Sequence, residues 1–215
     1  MRVTANSRTG FTLLEALVAA ILITVIFGAL SAMMKSGTDA FHQGVSSSTT
    51  ESTARRGIDR ITREFSSAEG AQLLPQMIPT LGSSTLTFHR STGAVGGVIV
   101  WGNNRTIQFE MDASEADDGL DNDGDGLIDE GRVVLTENVG LPNQQTIVLC
   151  PNVREYLEGE IPNGLDDNGN GLIDEQGLSF SMVGTTLVVR LTVERANQAG
   201  RRTWRTLETS VWVRN

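Results

Sequence analysis

Residues 11–34 are the feature that most constrains this chain, because from Ala16 to Met34 they contain no charged side chain. As an α-helix, the 24 residues of this segment would span about 36 Å, more than the bilayer's hydrocarbon core of about 30 Å. A cleaved secretory signal has a shorter apolar stretch followed by a small-x-small site, and no Ala-x-Ala site follows this one. The sequence therefore predicts a retained transmembrane helix.

Charged residues lie on both sides of this segment and once inside it. Arg2 and Arg8 precede it and Lys35 follows it. Arginines on the N-terminal side favour an N-terminus that stays in the cytoplasm. Glu15 lies one turn inside the apolar run, where a carboxylate costs up to about 3 kcal/mol. It either reaches water at the membrane interface or has a positively charged partner within the membrane.

The residues around Glu15 indicate which partner that would be. The segment Gly10-Phe11-Thr12-Leu13-Leu14-Glu15-Ala16-Leu17-Val18-Ala19 resembles the N-terminal signal of the type IV pilin and type II secretion pseudopilin superfamily. The resemblance implies that a prepilin peptidase cuts after Gly10 and methylates Phe11. It also implies that Glu15 pairs with the α-amino group of a neighbouring subunit's Phe11 in a filament. Such pairing makes a buried carboxylate tolerable.

The same resemblance implies a location and a set of partners. The chain would be anchored in the bacterial inner membrane by a single pass, with its N-terminus cytoplasmic and its head in the periplasm, and would assemble into a filament. Its partners would be the prepilin peptidase, the inner membrane, and other pilin or pseudopilin subunits, which it would contact through the N-terminal helix.

An amphipathic helix is predicted to follow the membrane segment. Gly37 and Gly44 are poor helix formers and mark where a long helix could kink. Apolar residues then recur at the spacing of one helical face: Ala54, Ile58, Ile61, Phe65 and Ala68. The last third of this helix is therefore expected to pack on a sheet.

Beyond Pro75 and Pro79 the apolar residues alternate with period two, which is typical of strands. The predicted strands are 85–90, 98–101, 105–110, 132–139, 146–150, 178–183, 186–194 and 203–213, with a hairpin turn at Gly102-Asn103-Asn104. The predicted fold is α+β, a long N-terminal helix packed on an antiparallel β-sheet head with inserted calcium-type loops. The expected organisation is a leader peptide at 1–10, a transmembrane helix at 11–34, an extended amphipathic helix at 35–70 and the head at 71–215.

Two further segments resemble one branch of the superfamily. The C-terminal run Thr209-Ser210-Val211-Trp212-Val213-Arg214-Asn215 and the helical run from Arg56 to Glu64 are similar to J-type minor pseudopilins and W-type minor pilins. Minor subunits of this kind lie at the filament tip, so the resemblance implies a tip position.

The formal charge of −9 is concentrated in two short segments. Residues 112–130 contain nine acidic side chains and residues 155–175 contain seven, with no basic side chain in either. Elsewhere 10 acidic residues stand against 17 basic ones. The absence of a dense Lys/Arg run, together with two segments that repel phosphate, argues against nucleic-acid binding as the main function.

The two acidic segments contain a twelve-residue repeat. Residues 119–130 read GLDNDGDGLIDE and residues 164–175 read GLDDNGNGLIDE, so nine of the twelve positions are identical. The other three positions exchange Asp and Asn. Such an exchange alters charge but keeps an oxygen ligand, which indicates that the placement of oxygen atoms is the constraint.

The spacing within each repeat predicts a cation site. Oxygens at positions 1, 3 and 5 of a tight turn converge on one ion, a glycine at position 6 permits the turn, and position 7 supplies its carbonyl. The candidate ligands of the first loop (residues 117–131) are Asp121, Asp123, Asp125, Leu127, Asp129 and Glu130. Those of the second loop (residues 163–177) are Asp166, Asn168, Asn170, Leu172, Asp174 and Glu175. Hard oxygen ligands predict calcium, two ions in all, with weaker binding in the less charged second loop.

The loops resemble the calcium loop of EF-hand proteins, with two departures. Position 12, a bidentate Glu in an EF-hand, is Arg132 in the first loop and Gly177 in the second. Glu130 and Glu175 are therefore the candidates for the closing carboxylate. Strand-like sequence flanks both loops, so we expect calcium loops placed between strands. An incomplete ligand set suits extracytoplasmic calcium at about 10⁻⁴–10⁻³ M.

Candidate catalytic groups are sparse in the sequence. His42 and His89 have no nearby Cys or His partner, and the single cysteine, Cys150, excludes an internal disulfide and is expected to be a buried thiol. We therefore expect no enzyme but a structural protein, a minor pilin or pseudopilin stabilised by calcium. The alternatives are a calcium-dependent tip adhesin or a DNA-capturing minor pilin, and a membrane-anchored calcium-dependent hydrolase, for which no nucleophile–base set is recognisable. The sequence does not separate a type II secretion pseudopilus from a type IV pilus or a competence filament.

Overall fold

The computed structural model describes residues 10–68, 73–74, 83–197 and 200–212. In this part of the chain one helix, α1 (Leu13–Phe65), precedes seven strands. The strands are β1 (Thr85–Val95), β2 (Val98–Met111), β3 (Gly131–Glu137), β4 (Gln145–Val153), β5 (Leu178–Val183), β6 (Thr186–Ala196) and β7 (Arg202–Trp212). The chain divides into two compact units, with the boundary between Gly44 and Val45.

The first unit contains the apolar part of α1. Thr12 caps the helix, because its Oγ1 accepts a hydrogen bond from the backbone N–H of Glu15 at 3.3 Å. An 18-residue window of α1 has a mean hydropathy of 2.6 and none of it is buried. The helix is long and apolar enough to cross a membrane, which is compatible with a single-pass anchor. Arg2 and Arg8 of the predicted leader lie outside the described residues.

The second unit contains an antiparallel sheet with the strand order β1-β2-β3-β4-β6-β5, and β7 pairs with β6. The sheet curls until its two ends meet. Ser83, just before β1, exchanges two backbone hydrogen bonds with Phe180 of β5, at 2.9 and 2.7 Å. The concave face of the curled sheet can therefore enclose a core.

The end of α1 supplies one side of that core. Ile61 and Phe65 are fully buried, and the Phe65 ring packs 4.8 Å from that of Phe88 and 5.6 Å from that of Phe180, measured between centroids. All five positions of the predicted apolar face are buried in the structure. Burying these side chains is the main stabilising contribution of the helix to this unit.

The predicted α+β class, with a long N-terminal helix and an antiparallel sheet, is confirmed. The helix ends at Phe65, and residues 69–70 of its predicted extent lie outside the described residues, as do Pro75, Pro79 and Val213. The predicted strands all fall within or close to observed ones.

The predicted hairpin turn at Gly102-Asn103-Asn104 is wrong. These residues lie inside β2, and the β1–β2 turn is Gly96-Gly97, with φ angles of 59° and 84°. Two-residue hairpins require positive φ at both central residues, which two glycines accept without strain. Asn104 instead pairs with His89 across the two strands, and their side chains are in contact.

Gly57 marks the closest approach between α1 and the sheet. A methyl group added there would lie 2.6 Å from Sγ and 2.9 Å from Cβ of Cys150. We expect Gly57→Ala to destabilise the head by about 1–3 kcal/mol, because the methyl group forces the helix and β4 apart. Thermal unfolding followed by fluorescence of the three tryptophans measures the effect.

Gly44→Ala is the matched control for this prediction, since Gly44 also lies in α1 and its added methyl group would meet no described residue within 4 Å. That variant should be unchanged or stabilised by up to about 1 kcal/mol through helix propensity. Equal melting temperatures for the two variants would contradict the close packing at Gly57.

Candidate metal centres

Both acidic loops leave the sheet at the same end. The first loop connects β2 to β3, and the second lies in the connection from β4 to β5. Gly131, where β3 begins, pairs with Val153, where β4 ends. The strand pairing therefore brings the start of the second connection next to the end of the first.

The first loop is shaped by its own aspartates. Asp121 accepts hydrogen bonds from the backbone N–H groups of Gly124 at 2.6 Å and Gly126 at 3.0 Å. Asp123 Oδ1 accepts from the N–H of Asp125 at 3.0 Å, and Asp125 Oδ1 accepts from that of Leu127 at 2.8 Å. These contacts fix the side chains at positions 1, 3 and 5. One carboxylate oxygen of Asp123 and one of Asp125 take no part in these contacts with the backbone.

The second loop repeats these contacts 45 residues later. Asp166 accepts from Gly169 at 2.7 Å and from Gly171 at 2.9 Å. Asn168 Oδ1 accepts from the N–H of Asn170 at 3.0 Å, and Asn170 Oδ1 accepts from that of Leu172 at 2.9 Å. The repeat in sequence is therefore a repeat in backbone conformation, and the Asp/Asn exchanges leave it intact.

In both loops the residue at position 9 ties the beginning of the loop to its end. Asp129 accepts from the N–H of Gly119 at 2.9 Å, and Asp174 accepts from that of Gly164 at 2.9 Å. Both aspartates have a φ of 50°. The acidic group that contains Asp129 is completed by Asp117 and Glu155, with one oxygen of each within 4.8 Å of the others.

The structure brings the other acidic ligand candidates of the first loop together with one residue that the spacing did not predict. One group consists of Glu115, Asp121 and Asp123, and a second of Asp123, Asp125 and Glu130; in each, the oxygens lie within 4.8 Å of one another. Asp123 belongs to both groups, so the two groups adjoin each other. Hard oxygen donors at this density are suited to calcium.

Glu115 lies outside the twelve-residue repeat, yet the sequence contains a signal for it. Glu160 stands 45 residues later, the same offset that relates the two loops. Glu115 Oε1 accepts from the N–H of Asp123 at 3.1 Å, and Glu160 Oε1 accepts from that of Asn168 at 3.0 Å. The repeated unit therefore begins at these glutamates.

Glu130 is the one buried carboxylate of this cluster. Glu130 is only 4% exposed, and its Oε2 has no hydrogen-bond partner among the described residues. Burial raises the pKa of this carboxyl, and the nearby Asp125, Glu115 and Asp123 raise it further, to about 7. A buried, unpaired carboxylate is costly, and a bound cation would remove that cost.

Glu175, the counterpart of Glu130, has a different neighbour. It is 2% exposed, and its Oε1 accepts a hydrogen bond from the amide Nδ2 of Asn170 at 2.7 Å. In the part of the chain that the structure describes, its Oε2 has no hydrogen-bond partner, and burial raises the pKa of its carboxyl. Among the described residues, the second loop contributes no group of three clustered carboxylates.

The two leucines at position 7 differ in burial. Leu127 is 1% exposed and fixes the base of the first loop in the head, whereas Leu172 is half-buried. The residues predicted to take part in processing and assembly lie near the N-terminus. Gly10, Phe11 and Glu15 are all exposed, with Glu15 in the first turn of α1.

Cys150 lies in the core, where burial raises the pKa of its thiol to about 12. A thiol with such a pKa is inert as a nucleophile, as expected for a packing residue. His42 is exposed on α1.

The chain matches no protein-family model, and searches of the curated proteins and of the solved structures return no match. The class that the structure itself defines is an α+β protein with a long N-terminal helix, apolar in its first part, and an antiparallel sheet against which the helix end packs. This is a pilin-like architecture.

A pH dependence follows from Glu130. In calcium-free buffer the folded chain keeps this proton up to about pH 7, whereas the unfolded chain loses it near its ordinary pKa of about 4.3. This contribution to stability is therefore fully present below about pH 4 and is lost as the pH rises to about 7. We expect Glu130→Gln to flatten that decline in urea unfolding at pH 5 to 8.

Asp59→Asn, at an exposed acidic residue in the last part of α1, is the control and should follow the wild type. A decline of equal size in Glu130→Gln and wild type would contradict the assignment of this proton to Glu130.

Proposed function

We propose that the chain is a minor pilin or pseudopilin, a membrane-anchored structural subunit of a type II secretion pseudopilus or a type IV pilus-like filament, stabilised by calcium. The observation that carries the proposal is that the two parts of α1 differ in burial. Its first part is apolar and exposed, and its last part is buried against an antiparallel sheet. An exposed apolar helix needs a membrane or neighbouring helices to cover it.

The residues at the beginning of α1 support assembly through that helix. Cleavage after Gly10 would create an α-amino group at Phe11, four residues before Glu15. Glu15 lies in the first turn of α1, where a carboxylate interacts favourably with the helix dipole. In a filament this carboxylate would pair with the amino group of a neighbouring subunit, and both charges would be tolerated in an apolar surrounding.

Calcium would complete the head. The two acidic groups at the first loop share Asp123, and one of them contains the buried Glu130 with its Oε2 unpartnered among the described residues, so negative charge is concentrated there. Calcium accepts six to eight oxygen ligands at about 2.3–2.6 Å. The residues that would hold it are Asp121, Asp123, Asp125 and Glu130, with Glu115 as a further donor.

Processing tests the filament assignment. Coexpression with a prepilin peptidase should give a mature chain that begins at Phe11 and carries the mass of one added methyl group on it. Gly10→Val should block this cleavage, because the peptidase must accommodate the residue before the cut. Intact-mass and N-terminal peptide mass spectrometry measure both results.

Glu15→Gln is the matched variant, because it leaves Gly10 in place and removes the charge proposed for assembly. It should be cleaved normally and should fail to enter filaments in a pull-down of assembled subunits. A wild-type chain that keeps residues 1–10 in the presence of the peptidase would contradict the proposal.

Calcium should raise the melting temperature of the head. At calcium about one hundred times the Kd, the stabilisation is about 2.7 kcal/mol, which is a rise of about 5–10 °C for a protein of this size. A variant with Asp121, Asp123 and Asp125 changed to Ala should lose this rise, and Asp39→Ala, at an exposed acidic residue of α1, should keep it. A wild-type melting temperature that is independent of calcium would contradict the calcium part of the proposal.

A further inference from the structure

We propose that the residue at position 5 decides whether each loop needs a cation, and that the second loop holds its conformation without one. In the first loop this residue is Asp125 and in the second it is Asn170. The inference rests on the proposed calcium function for the first loop only.

The side chain at position 5 makes the same backbone contact in both loops. The Oδ1 atom of Asp125 accepts from the N–H of Leu127 at 2.8 Å, and that of Asn170 accepts from the N–H of Leu172 at 2.9 Å. Because the backbone N–H fixes which amide atom faces it, the orientation of the Asn170 side chain is determined and its Nδ2 must point the other way.

The second atom of each side chain faces the closing glutamate. Asn170 Nδ2 donates to Oε1 of Glu175 at 2.7 Å. In the first loop the corresponding pair consists of two carboxylates, and an oxygen of Asp125 lies within 4.8 Å of one from Glu130. In the second loop an N–H donor thus satisfies Oε1 of Glu175, whereas in the first loop two like charges oppose each other.

The neighbouring positions reinforce this difference. In the first loop Asp123 adds a further carboxylate to the pair. The second loop has the uncharged Asn168 there. The negative charge that a cation must balance is therefore concentrated in the first loop.

Isosteric exchanges at position 5 test the inference on the full chain in detergent micelles. Calcium titration by calorimetry should give one ion per wild-type chain. Asp125→Asn should remove that ion by giving the first loop the amide bridge, and Asn170→Asp should add a second ion. Two ions bound by the wild type at similar affinity, or one ion bound by Asn170→Asp, would overturn the inference.

Hydrogen exchange separates this inference from the proposed calcium function. In chelator, peptides covering 164–172 should be protected and peptides covering 119–127 should exchange, and calcium should protect the latter. Asp125→Asn should protect residues 119–127 in chelator as well. A wild type that binds no calcium would contradict the proposed function, whereas peptides covering 164–172 that exchange freely in chelator would overturn the inference.

Discussion

The packing of the last part of α1 into the curled sheet is the contact on which the rest of the head depends. Phe65 meets Phe88 near one end of the sheet order and Phe180 near the other, so the helix holds together strands that are distant in sequence. The Ser83–Phe180 backbone bonds complete this closure. With the sheet fixed in this way, the pairing of Gly131 with Val153 brings the two acidic connections to one end of the sheet.

The two acidic loops have the same backbone contacts but place different groups beside the closing glutamate. Aspartate and asparagine oxygens shape both turns by accepting hydrogen bonds from backbone N–H groups, so positions 3 and 5 support the turn with or without charge. What differs is the group that faces the buried closing glutamate, an amide in the second copy and carboxylates in the first. A loop can thus retain the geometry of a calcium site while its dependence on calcium is set by one side chain.

The sequence was sufficient to predict the elements whose signal is periodic. The helical face of Ile61 and Phe65 is buried, and the pattern of apolar residues records that burial directly. The period-two pattern likewise located β6, although residues on both of its faces are buried. The hairpin was misplaced because Gly96-Gly97 and Gly102-Asn103-Asn104 both permit a turn, and only the pairing of β1 with β2 decides between them. Glu115 was missed because its contact with Asp123 depends on the path of the chain before the loop, and the grouping of Asp129 with Glu155 depends on contacts between two connections.

The most direct test of the account is the position of calcium in crystals of the protein grown with the ion, located by its anomalous scattering. We predict a peak in the first loop about 2.3–2.6 Å from oxygens of Asp121, Asp123, Asp125 and Glu130. A first loop that contains no anomalous peak at saturating calcium, or a peak that lies instead among Asp117, Asp129 and Glu155, would contradict it.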